Sequence, residues 1–232
     1  MSNAGLLPRR WRTEPGDAHD AEALAGVLET PPIAAGSDGP AIVARLGARL
    51  VLPFLVAVKS LLRRIGGGRV VILDDGTLAG ADRTILACHC GDPEFLPRRA
   101  VPLGGFPPDC GWEPWLVAFD RRRGEYWLLL DPLAVASGPV PEVARAMSGN
   151  RSFAAGAALA GLAAGGPARP AADALFAALG ERPAPVAAAM GLLLAREGAP
   201  VTLAEAAGLA HFGPDGAEAH AAASRTAIEA LR

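Results

Sequence analysis

Arg69-Val70-Val71-Ile72-Leu73-Asp74 is an unbroken apolar run closed by an acid, and Tyr126-Trp127-Leu128-Leu129-Leu130-Asp131 repeats the pattern downstream. A strand with one wet face alternates apolar and polar residues. A strand covered on both faces, as in a parallel sheet, does not. Both runs therefore read as buried parallel strands that each deliver a carboxylate to the same sheet edge. In open α/β sheets the carboxyl edge is where ligands bind.

The flanking residues extend this reading. Ala41–Leu46 reads as a first strand, closed by Gly47. Leu50, Phe54, Ala57 or Val58, Leu61 and Ile65 recur at helical steps and give one apolar face. Pro53 lies in the first turn, where its missing N–H is harmless, and Gly66-Gly67-Gly68 ends the helix. Asp74-Asp75-Gly76-Thr77 reads as a turn, 79–88 as the next helix and 113–120 as a further short one. The fold class expected is α/β: a Rossmann-like, largely parallel sheet with flanking helices over residues 40–153. Residues 1–39, punctuated by proline and glycine, read as a mobile arm. Residues 154–232 read as an Ala-rich helical region without strands.

Composition narrows the class. Of 232 residues, 51% are hydrophobic and 20% charged, so a packed core is expected and wholesale disorder excluded. The net charge of -2 offers no basic field for nucleic acid or an anionic membrane. Lys59 is the only lysine. The odd set Cys88, Cys90 and Cys110 argues against a disulfide framework and for a reducing compartment. The most apolar stretch, Leu50–Leu62, is shorter than the roughly 20 residues a membrane helix needs. The N-terminal arginines lead into no apolar run before Pro31, so a secretory signal is not expected and the expected location is cytoplasmic.

Asp74 and Asp75 could accept hydrogen bonds from a nucleoside, and Asp131 could give an oxygen ligand to a hard cation bridging phosphates. The bland reading also stands: Asp-Gly is a common turn, and Asp before Pro a common strand exit.

The run Leu52–Leu62, followed by Gly68-Arg-Val-Val-Ile-Leu-Asp-Asp-Gly-Thr-Leu, resembles the opening of GT-A-type, nucleotide-sugar-binding glycosyltransferases. The correspondence includes an A-x-K-S-L-type helix segment at 57–61 and a D-D-G-S/T turn at 74–77, and it covers about residues 40–153. It implies a nucleotide-diphosphate sugar donor and an unidentified acceptor, with Asp74 and Asp75 at the nucleoside. It also implies Asp131 at the diphosphate and a divalent metal, Mn²⁺ or Mg²⁺. Where the family's D-x-D signature has its second acid this chain has Leu133, which cannot coordinate a hard cation. The alternative is therefore a catalytically inactive relative kept as a binding or interaction protein. No residue in 154–232 is singled out as a catalytic base.

Other motifs read more plainly. Cys88-His89-Cys90 has too short a spacing for a paired zinc knuckle, so buried or idle thiols are expected. Arg121-Arg122-Arg123 reads as a solvated charge cluster. Val201–Ala210, with Thr202 and Glu205 as a capping box, resembles the start of a helix-turn-helix module and makes a regulator a minor alternative. The following helix, 217–231, carries only Arg225 for reading bases, and 151–232 hold 6 arginines against 7 acids, so nucleic acid is not an expected partner.

Overall fold

The computed structural model of the chain describes residues 23–33, 39–180, 184–198, 200–202, 208–212 and 216–232. Its centre is a seven-stranded sheet in the order β3-β2-β1-β4-β7-β6-β8. The strands are β1 (Ala41–Leu46), β2 (Arg69–Asp74), β3 (Glu94–Pro97), β4 (Trp127–Leu130), β6 (Phe153–Ala155), β7 (Leu159–Leu162) and β8 (Val201–Thr202). β2 and β4 both pair in parallel with β1, Ala41 facing Arg69 on one side and Trp127 on the other. β3 continues the parallel set, and β7 alone runs against its neighbours. A two-stranded ladder of β5 (Ala134–Ala136) and β9 (Leu209–His211) stands apart.

The two apolar runs are thus parallel strands with their acids at one edge, and the side chains show why neither run alternates. Ile42, Ala44, Val70, Ile72, Leu128 and Leu130 enter one core, while Val43, Val71, Leu73, Trp127 and Leu129 enter the other. The first core is covered by α1 (Val51–Ile65), α2 (Gly80–Cys90), α4 (Pro141–Ser148) and α7 (Ala217–Leu231). The second is covered by α3 (Trp112–Arg121), α5 (Ala172–Leu179) and α6 (Val186–Ala195). α1 stops at Gly66, whose φ of +91° only glycine adopts without strain, and its N–H closes on the Leu62 carbonyl.

Four expectations are corrected. The arm expected to be mobile is packed over 23–33: Leu24 and Val27 are buried in the first core, and Lys59 Nζ donates to the Pro31 carbonyl at 2.8 Å. The remainder of the arm, 1–22 and 34–38, lies outside the described residues. The region expected to lack strands supplies β6 and β7, and the boundary at 153 falls inside β6. Gly161 in β7 is there because a side chain would not fit: a Cβ on it would meet the Phe153 ring and the Tyr126 hydroxyl. Arg122 is not solvated. It is 1% exposed and paired with the equally buried Glu197, to which Ser152 Oγ donates at 2.7 Å. Finally, Val201–Thr202 and Leu209–His211, where the minor alternative put the start of a helix-turn-helix module, are extended and pair with β6 and β5; Glu205 lies outside the described residues.

Candidate functional site

α1 and α2 leave the carboxyl ends of β1 and β2 to cover one face, and α3 covers the other before the chain enters β4. The strand order therefore reverses between β1 and β4. There the crossovers part and leave a crevice at the carboxyl edge. A cavity of about 410 Å³ lies at that point. Val43, Leu129 and Ala160 line it from the sheet, Pro114 and Trp115 from the first turn of α3, and Val186, Ala187 and Met190 from the start of α6.

Its polar groups are few. Arg45 breaks the apolar pattern of β1 and is exposed at the cavity, with no ion pair or hydrogen bond among the described residues. Asp131 follows β4, the strand next to β1, and lines the same cavity. Its Oδ1 accepts the Leu133 N–H at 2.8 Å and lies 3.4 Å from Nε2 of His211, a residue brought in by β9. Two helices also begin at the cavity; Pro114 has no N–H and the Val186 N–H is taken by the Cys110 carbonyl at 3.1 Å, so what they bring is the positive end of each helix dipole.

The Asp74–Thr77 turn stands at the same edge but outside this cavity, and its acids are engaged. Asp74 is 5% exposed, accepts the Gly76 N–H at 2.8 Å through Oδ1 and pairs with Arg83 through Oδ2. Asp75 accepts both the N–H and the hydroxyl of Thr77 through Oδ1, at 2.9 and 2.7 Å. The Thr77 hydroxyl oxygen in turn accepts the Ala48 N–H at 2.8 Å, tying the turn to the exit of β1. Gly47 is required there because a Cβ would collide with the Asp75 carboxylate. The chemistry of this turn on display is that of a brace between the ends of β1 and β2.

A divalent cation at Asp131 would find two protein donors, the Asp131 carboxylate and the His211 imidazole. No group of three or more His, Cys, Asp or Glu that could hold a metal occurs among the described residues. Leu133 contributes only its backbone N–H, and that goes to Asp131. The Asp131 oxygen suits Mg²⁺ or Mn²⁺ if ligand phosphate and water complete the shell, whereas the His211 nitrogen is a donor for softer ions. Cys88-His89-Cys90 is organised differently: Cys88 is exposed, burial pushes the Cys90 thiol up to about 12, and His89 Nδ1 lies 2.9 Å from Lys59 Nζ.

Sequence reasoning singled out Asp131 and missed Arg45 and His211. Arg45 had a signal, being the one charged residue in an otherwise apolar strand. His211 had none, since only the pairing of β9 with β5 brings it to Asp131. No helix among the described residues is long and apolar enough to cross a membrane. No family model matches this chain, and no curated protein matches it in sequence.

Proposed function

We propose that the crevice binds a nucleoside-diphosphate-activated donor, and that the protein is a glycosyltransferase-like enzyme using a nucleotide sugar. The observation that carries the reading is Arg45, unpaired among the described residues, at the cavity that Asp131 also lines, where the strand order reverses. A guanidinium and two helix starts supply positive potential for a diphosphate, and the apolar sheet floor with Trp115 and Met190 suits a flat ring. In sugar transfer the leaving diphosphate gains charge, and fixed donors aimed at it lower the barrier. Arg45 would hold that charge, and Asp131 would be the oxygen ligand of a hard divalent ion. The resemblance of the Asp74–Thr77 turn and its upstream helix to GT-A glycosyltransferases supports the same ligand class.

A second reading, a binding protein of the same descent without catalysis, is favoured by Leu133 and by the engagement of Asp74 with Arg83. Thermal unfolding with UDP- and GDP-sugars, with and without Mn²⁺, separates the two. A ligand that binds only the folded state raises Tm. Stabilisation that needs Mn²⁺ supports the enzyme, and stabilisation without it supports the binder. No shift with any nucleotide would sink both.

A further inference from the structure

At the opposite edge of the sheet, between the end of α1 and the start of α4, lies a groove of about 450 Å³ that the reading above does not use. Every polar side chain lining it is a hydrogen-bond donor: Arg63, Arg64 and Ser137. We propose that this groove is a binding site for a phosphate-bearing small molecule, separate from the crevice.

Among the described residues the charge is uncompensated. Eight arginines elsewhere, Arg69 and Arg122 among them, pair with carboxylates, yet neither Arg63 nor Arg64 has a carboxylate partner among the described residues. Burial and the neighbouring Arg63 charge both pull the Arg64 guanidinium below its ordinary value, so an anion placed between the two would be stabilised by both. Arg64 is also oriented: its Nη1 donates to the Ser60 carbonyl at 2.6 Å and its Nε to the Gly138 carbonyl at 2.5 Å. A guanidinium fixed by backbone carbonyls keeps Nη2 for a ligand and loses little entropy on binding.

The facing wall adds the positive end of a helix. α4 begins with Pro141, which has no N–H, and its first bonded N–H is that of Ala144, to the Val140 carbonyl at 3.1 Å. The N–H groups of Glu142 and Val143 therefore lack intrahelical acceptors, but neither residue lines the groove, so the helix start acts on it through its dipole rather than through direct hydrogen bonds. Glu142, the acid of that turn, pairs with Arg145 at 2.9 Å and does not line the groove. Two guanidiniums, a hydroxyl and a helix start around one concavity match the tetrahedral, multiply accepting geometry of phosphate.

The test is calorimetric titration with sodium pyrophosphate and with ADP at low ionic strength. It is run in the Arg45→Ala background, so that the crevice contributes little. Arg63→Ala is the informative added change, because Arg64 also holds the Gly138 carbonyl. Arg45→Ala is expected to bind one pyrophosphate with Kd of about 1 mM or tighter, and Arg45→Ala/Arg63→Ala about tenfold more weakly. Backbone amide shifts on titration should centre on the lining residues Ser137, Gly138 and Val140. Tighter binding of ADP than pyrophosphate identifies a nucleotide ligand, and equal binding a free oligophosphate; both support the site. Absence of binding to Arg45→Ala at about 10 mM, or undiminished binding after Arg63→Ala, overturns it. Neither result depends on whether nucleotide sugars bind the crevice.

Discussion

Nζ of Lys59, in the middle of α1, lies 2.9 Å from Nδ1 of His89 near the end of α2. The same ammonium donates to the hydroxyl of Thr30 at 2.7 Å and to the carbonyls of Thr30 and Pro31 at 3.2 and 2.8 Å. The only lysine of the chain is thus 2% exposed, with neutral acceptors in place of a carboxylate among the described residues. It fastens the 23–33 segment to both helices.

Burial lowers the Lys59 pKa from 10.5 to about 8 and, with the Lys59 charge, lowers that of His89. Between about 8 and 10.5 the unfolded chain holds a proton that the folded chain has released, so Lys59 makes stability rise with pH across that window. Lys59→Met should abolish this slope. In urea unfolding at pH 7 to 10, wild type should gain on Lys59→Met by up to roughly 3 kcal/mol. Parallel curves for the two proteins would refute the buried, depressed lysine.

The buried pair Arg122–Glu197 joins the end of α3 to the segment after α6. Glu197→Gln removes one charge and leaves the guanidinium uncompensated, which should cost about 3–5 kcal/mol. Arg122→Met with Glu197→Met should recover much of that loss, because an apolar pair has no desolvation cost. Denaturant midpoints of the three variants decide it. A double variant as unstable as the single would mean that the contacts to Ser152 and Pro167, not the charge, dominate.

Gly161 and Gly191 make a matched comparison. A Cβ at Gly161 collides with Phe153 and Tyr126, whereas a Cβ at Gly191, within α6, meets nothing within 4 Å. Gly161→Ala should destabilise by about 1–3 kcal/mol through overpacking. Gly191→Ala should stabilise by about 0.5–1 kcal/mol through helix propensity. Thermal melts of opposite sign would confirm both placements.

Arg45→Ala tests the crevice. Exposed and unpaired among the described residues, Arg45 contributes little to folding, so the ligand-free protein should change by no more than about 0.5 kcal/mol. Any nucleotide-dependent rise in Tm should fall sharply in the same variant. An undiminished rise would move the nucleotide away from the crevice.

Ile72→Asp probes the parallel strand itself. Ile72 is fully buried in β2, with α1 and α2 over it, and an unpaired carboxylate there has no solvent or partner. Loss of the cooperative unfolding transition is the expected result, read by near-UV circular dichroism and denaturant titration.

The parallel strands β2 and β4 were legible in the sequence, because a strand covered on both faces must be apolar at every position. So was Asp131 at the carboxyl edge, since it ends such a run. β6 and β7 were not legible. Alanine and glycine suit a helix as well as a crowded strand, and only the approach of Phe153 and Tyr126 makes Gly161 obligatory. The solvated reading of Arg122 failed for a similar reason: its partner Glu197 lies far along the chain. Hydrophobic pattern alone determined which segments are central strands and where their acids emerge, for burial acts on each residue locally. Tertiary structure decided which polar groups meet: Arg45 and Asp131 at one cavity, His211 beside Asp131, and Asp74 drawn into its pair with Arg83. Those meetings depend on the order of the strands and on pairings between distant segments, which no local pattern encodes.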